Sequence, residues 1–223
     1  MSNMAIVSSS KIVAIADAIR AKTSSFEGLT LDQMPFAIDS IRVGGGDDLA
    51  SFTEGTLVEI KGSFNLIREY AFNYLTSLET VNAQGVSRIG QRAFYGCTSL
   101  KSATFGGPVV IDTFGMRGIS YLETVDFSDA RTFGVNSFLE CYSLKTVIIR
   151  TNSVCSILNV NAFNKCWRIM GEVDATYNPN GVKDGYFYVP RYLVDSYKMA
   201  TNWTAYADQI RAIEDYPEIT GGL

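Results

Sequence analysis

The stretch Ile89-Gly-Gln-Arg-Ala-Phe-Tyr-Gly-Cys-Thr-Ser-Leu-Lys-Ser-Ala-Thr-Phe105 decides how this chain folds, because it is one of five copies of a single pattern between residues 67 and 166. Sliding it by 22 residues superimposes Ile67, Ile89, Ile111 and Phe133, then Leu78, Leu100, Leu122 and Leu144, then Val81, Ala103, Val125 and Val147. A slip of 25 adds a fifth copy, with Leu158, Ala162-Phe163, Cys166 and Ile169 in the matching places. A period of this length is the signature of a solenoid, in which each unit is too small to bury its own apolar face and hides it against the next.

Within each copy the segments 78–83, 100–105, 122–127 and 144–149 end in alternating apolar and polar residues, as a strand with one buried face does. If these strands stack in parallel, Glu79, Lys101, Glu123 and Lys145 become ladder neighbours of alternating charge. The pairs Ala71-Phe72, Ala93-Phe94, Ser137-Phe138 and Ala162-Phe163 read as a short turn of helix that drops a ring into the core, and Gly115-Met116 is the degenerate copy. Cys97, Cys141 and Cys166 share one slot with Leu75 and Ile119, so they read as free buried thiols, and copies two apart stand too far from each other for a disulfide. Cys155 falls in the slipped linker.

The pattern I-x-x-x-A-F-x-x-C-x-S-L-x-x-V-x-I resembles the BspA-type leucine-rich repeat, found in bacterial surface antigens and some bacteriophage proteins. The fold expected is a mixed α/β repeat solenoid with parallel stacked strands, an N-terminal two-helix module and a C-terminal helical cap. Its expected parts are the helical module at 1–43, a Gly-rich linker at 44–50, the solenoid with a leading hairpin at 51–175, and an insertion loop with the cap at 176–223.

At the N-terminus, Ser10 caps a helix running to about Lys22 with Ile12, Ile15 and Ile19 on one face, and Asp32 caps a second that buries Met34, Ile38 and Ile41. Two helices this short make no stable core alone, so their apolar faces are the expected assembly face, against another subunit or a larger body. Residues 15–23 and 29–38 are similar to a module near the N-termini of tail and fibre proteins of phages that infect Gram-positive bacteria. That resemblance implies attachment to other virion proteins and a homo-oligomer, with a trimer favoured. Glu54-Gly55 reads as a hairpin turn over the first solenoid edge. At the far end, Tyr186–Val189 reads as a strand stopped by Pro190, followed by two short helices whose Leu193, Tyr197, Trp203, Tyr206 and Ile210 face inward. The run 188–207 resembles the cap that follows repeats of this family.

A net charge of -4 and a pI near 4.9 argue against nucleic acid or an anionic membrane as partner. No apolar run approaches a membrane span, and Met1 to Ser10 lacks the basic and apolar regions of a secretory signal, so membrane insertion and export are not expected. The chain has no histidine, which removes Ser-His-Asp and Cys-His arrangements and most zinc sites. The Gly106-Gly107 pair makes no phosphate loop, residues 174–184 lack calcium-loop spacing, and Glu123, Asp126 and Asp129 read as charges on a solvated strand face. Neither enzymatic activity nor any cofactor is expected. Recognition remains, with turn and insertion aromatics Tyr95, Tyr121, Tyr142, Trp167 and Tyr177 as the candidate surface for a host cell-surface protein or glycan. The function expected is a virion structural protein of a tail, baseplate or head appendage, assembled in the host cytoplasm. A bacterial surface adhesin of the BspA type is the alternative.

Overall fold

The computed structural model describes residues 59–220. The helices expected before residue 43, with the assembly face Ile12, Ile15, Ile19, Met34, Ile38 and Ile41, lie outside the described residues, as do the glycine linker and the Glu54-Gly55 turn.

The alternating segments form strands that all pair in parallel: β1 (Glu59–Ser63), β2 (Leu66–Ile67), β3 (Thr80–Gln84), β4 (Arg88–Ile89), β5 (Ser102–Ile111), β6 (Thr124–Phe133), β7 (Thr146–Ile149), β8 (Ser156–Ile157), β9 (Tyr186–Val189) and β10 (Ile210–Ala212). The main sheet runs β1-β3-β5-β6-β7-β9-β10. A second file, made by β2, β4, the ends of β5 and β6, and β8, carries Ile67, Ile89, Ile111 and Phe133. Thr80, Ser102, Thr124 and Thr146 are successive partners in the main sheet, so Leu78, Leu100, Leu122 and Leu144, all fully buried, stand in one file just ahead of them. Each such side chain contributes about 1.5–3 kcal/mol by leaving water, which it can do only against the next rung.

Ring stacking follows the same files. Phe72 lies on Phe94 at 5.2 Å, Phe105 on Phe127 at 5.6 Å, and Phe138 on Phe163 at 4.9 Å, each pair close to parallel. The expected charge ladder is present in the backbone, where Lys101, Glu123 and Lys145 each donate to the carbonyl one rung back. Among the side chains of that ladder, Lys101 and Glu79 approach to 3.8 Å. Gly107 explains its own type: at φ 109° it sits in a bulge of β5, and an added Cβ would stand 2.7 Å from the Val86 carbonyl oxygen.

Three expectations need correction. The Ala-Phe element is helical only in the last copy, as a 3-10 turn at Val160–Phe163. In the earlier copies Tyr70, Arg92, Phe114 and Asn136 precede it at φ between 54° and 61°, a left-handed conformation that no right-handed helix contains. Those turns are held instead by bonds between rungs, such as Phe72 N–H to the Ala93 carbonyl at 2.8 Å. Second, Ile157 and not Leu158 pairs with Phe133; Leu158 is 62% exposed. The fifth copy slips by 24 in the strand and 25 in the turn, so one residue is inserted between them. Third, Glu59–Ser63 and Tyr186–Val189 are rungs in their own right, Ile60 pairing with Val81 and Phe187 with Val147. The cysteine slot is buried in the core as expected, and its thiols are hydrogen-bonded there. The Cys97, Cys141 and Cys166 thiols donate to the Phe72, Met116 and Phe138 carbonyls at 2.9, 3.1 and 3.2 Å. All four cysteines are free and buried, although Cys141 and Cys166 are neighbours one rung apart. Burial pushes the Cys97 thiol up to about 12.

After β9, Arg191–Leu193 makes a 3-10 turn, α2 (Val194–Met199) follows, and Trp203–Gln209 is a second 3-10 segment leading into β10. The preceding short helix, α1 (Trp167–Met170), belongs to the last repeat. The cap buries the five side chains expected to face inward. The Trp203 indole donates to the Cys155 carbonyl at 2.6 Å, and the Tyr197 hydroxyl accepts from the Cys155 N–H at 2.9 Å. This gives the slipped linker its anchor.

Candidate recognition surface

Four of the five aromatics singled out in the sequence come together. Tyr142 and Trp167 occupy one slot on neighbouring rungs and stack with centroids 5.7 Å apart at 13°. Tyr177 stacks on Tyr142 at 4.6 Å and meets Tyr121 edge-on at 5.6 Å. Tyr121 is 51% exposed and the other three are half-buried, so the group presents a continuous aromatic patch. The Trp167 indole Nε1 is buried with no partner.

Tyr177 reaches this place because the insertion 171–185 is tightly built. The Asp174 carboxylate accepts the N–H groups of Thr176 and Tyr177 at 3.0 and 2.9 Å. Asn178, 1% exposed, donates its amide to the Trp167, Glu172 and Val182 carbonyls and accepts from the Val182 N–H. At the base of the insertion, Arg168 and Asp184 form a two-pronged ion pair, and the guanidinium holds the Asp184 carboxyl below the usual range.

Tyr95 stands elsewhere. It meets Tyr74 edge-on at 5.0 Å, and the Arg117 guanidinium lies 5.3 Å over its ring. Arg117 and Arg92 both sit over Phe114, and Arg92 also donates to the Tyr70 hydroxyl at 2.9 Å. Glu140 takes Arg117 at 3.1 Å and Lys165 at 3.2 Å. Burial raises the Glu140 carboxyl, but these two cations more than reverse it and leave it below its ordinary value. The turn flank is thus a self-satisfied ladder of rings and cations. Reading the sequence for site aromatics missed Tyr74, Arg92, Phe114 and Arg117. For Arg92, Phe114 and Arg117 a signal exists, since Tyr70, Arg92 and Phe114, and Tyr95 and Arg117, recur at the repeat period; Tyr74 has none, its place being held by Gly96 and Gly118 in the next two copies.

The open face of the main sheet is polar, with a hydroxyl row of Thr80, Ser102, Thr124 and Thr146 and a second row of Asn82, Thr104 and Asp126. Asp126 is engaged by Arg150 at 2.8 Å, and Asp129 is paired with Arg131 at 2.5 Å. At its C-terminal end the face is covered, because Ile213, Tyr216 and Ile219 pack on Ile148 and Tyr188. Ile219 belongs to α3 (Pro217–Thr220). Among the described residues no helix is long and apolar enough to cross a membrane.

No curated protein matches the chain. The crystal structure of a leucine rich cell surface protein from Faecalibacterium prausnitzii A2-165 is similar at 20% identity with a TM-score of 0.39, over 60% of this chain and 39% of that one. This chain therefore spans well under half the length of that protein. A sequence profile of the BspA type leucine rich repeat region matches six copies across residues 50–188, well over half of the chain, and the rungs β1 to β8 and all but the last residue of β9 fall inside that span. The chain belongs to the family of BspA type leucine rich repeat proteins.

Proposed function

We propose that this protein is a non-catalytic recognition protein whose repeat domain binds a protein or glycan on a cell surface through the patch Tyr121, Tyr177, Tyr142 and Trp167. The observation that carries this reading is the continuity of the four rings, three of which are contributed by successive repeats and one by a dedicated insertion. Scattered exposed rings are ordinary, whereas a contiguous patch marks a binding surface, and aromatics are the usual anchors of one. The family supports the same reading, since solenoids present extended surfaces from units that tolerate insertion. Wild-type protein and the Tyr121→Ala and Tyr177→Ala variants, each labelled and titrated onto intact bacterial cells, test it. A loss of affinity of about tenfold or more in both variants is expected; equal binding by all three refutes the assignment.

Two placements of such a module follow. In the first, the protein is a virion structural component, and the N-terminal helices fasten it to other virion proteins as a homo-oligomer, with a trimer favoured. The similarity of residues 15–23 and 29–38 to phage tail and fibre modules supports this placement. In the second, it is a bacterial surface adhesin, which the repeat family supports equally. Electron microscopy of purified particles separates them: label on a tail, baseplate or head appendage is the virion outcome, and label confined to cell envelopes is the adhesin outcome. Light scattering of the full chain against a version starting at Asp47 reads the oligomer, which is refuted if both are monomers.

A further inference from the structure

The last repeat and the C-terminal cap enclose a concavity separate from the aromatic patch. Its volume is about 170 Å³, close to that of cavities that hold one six-membered ring. Its polar lining is Asn161, Asn164, Gln209 and Lys183, and its apolar lining includes Val160 and Met170.

Several observations set this site apart from a packing defect. Gln209 is only 4% exposed and its side-chain amide makes no hydrogen bond to any described residue, and that amide is not among the fully buried polar atoms, so what it exposes opens into the pocket. The Asn161 and Asn164 side-chain amides are also unbonded within the described residues. Tyr206 contrasts with them: it lines the same pocket, but its hydroxyl is committed to the Val160 carbonyl and fixes the wall. Lys183 is held by its stem, whose first three carbons lie 2.9–3.3 Å from where a Cβ on Gly171 would stand, so Gly171 makes room for it. The Lys183 ammonium has no ion-pair partner among the described residues.

Three free amides offer donors and acceptors side by side, which is the chemistry that pairs vicinal hydroxyls. Val160 and Met170, 44% and 38% exposed, offer an apolar flank to the C–H face of a ring. Lys183 adds one cation. We propose that this pocket binds a single sugar ring carrying a carboxylate, a uronate at the end of a glycan, with its hydroxyls on Asn161, Asn164 and Gln209 and its carboxylate toward Lys183. The overall charge of -4 disfavours a long polyanion, which leaves one terminal carboxylate as the anionic feature. The inference rests on the recognition role above for its purpose, while the pocket shares none of the patch's four rings.

The test is saturation-transfer NMR and calorimetry on the full chain with glucuronate, galacturonate, glucose and galactose. A uronate Kd on the order of 1 mM is expected for a ligand of this size. Gln209→Leu and Lys183→Met should each weaken it about tenfold, and Tyr177→Ala should leave it unchanged. Melting temperature shows whether Gln209→Leu still folds; exposed Lys183→Met carries the test if it does not. The proposal is overturned if wild type binds no uronate at concentrations about tenfold above that Kd, if neutral sugars bind as well, or if the Lys183→Met variant binds normally. Loss of uronate binding in Tyr177→Ala overturns the location. Retained uronate binding with no cell binding through the patch would sink the proposed function and leave this pocket standing.

Discussion

Replacing Asn178 by alanine removes the residue that holds the insertion carrying Tyr177. The side-chain nitrogen faces three carbonyl oxygens at 3.2, 2.7 and 3.0 Å, and the side-chain oxygen accepts the Val182 N–H at 2.9 Å. An amide nitrogen has two protons, so three hydrogen bonds exist at any moment. At about 1 kcal/mol each, their loss lowers the free energy of opening the insertion by about 3 kcal/mol, which raises the open population about 100-fold. The stacked rungs make no bond to Asn178 other than the one at Trp167, so local opening is the expected response. Cleavage by chymotrypsin at Tyr177 under native conditions reads that population directly. Asn178→Asp should be at least as severe, because it loses both donors and puts a carboxylate among carbonyl oxygens. If Asn178→Ala is cut at Tyr177 less than about threefold faster than wild type, the account of how the patch is held is wrong.

Three further outcomes follow. Ile157→Ala should lower stability by about 2–4 kcal/mol while Leu158→Ala stays within about 0.5 kcal/mol, measured by urea unfolding, because only Ile157 is in the buried file; equal effects would restore the unslipped register. The native protein should leave all four buried thiols unreacted with a thiol reagent at pH 8 and yield all of them on unfolding. A thiol titrating rapidly in the native state would contradict the burial. The Asp184 carboxyl is depressed in the folded state by Arg168. Its contribution is therefore present above the ordinary Asp range and lost as pH falls through the lower folded value, and Asp184→Asn should flatten that acid limb of the melting temperature. Since the Asp184 side chain is 38% exposed, the effect should be under about 1 kcal/mol; an Asp184→Asn variant with an unchanged acid limb would show that the pair contributes nothing.

The reading of Leu78, Leu100, Leu122 and Leu144 as one file needed nothing beyond their spacing, because every rung solves the same local problem with the same residues. The cap was legible for a related reason: Tyr197, Trp203 and Tyr206 recur at short spacings on short segments. Leu158 was misplaced because a one-residue insertion between strand and turn leaves both flanking matches intact, and only the pairing of Ile157 with Phe133 reveals it. Apolar pairs such as Ala-Phe suit a helix as far as sequence goes, while the left-handed residues before them belong to turns held by bonds from the adjacent rung.

Spacing alone determined the middle rungs β3, β5, β6 and β7, the buried column and the alternating charges, since repetition turns a long-range contact into a short-range rule. Tertiary structure alone decided that Tyr177 lies on Tyr142, that β9 pairs with β7 across forty residues, and that Gln209 meets Asn161 and Lys183 in one pocket. Each of those contacts reaches into or across the insertion or into the cap, which have no counterpart in another repeat, so no period in the chain could announce them.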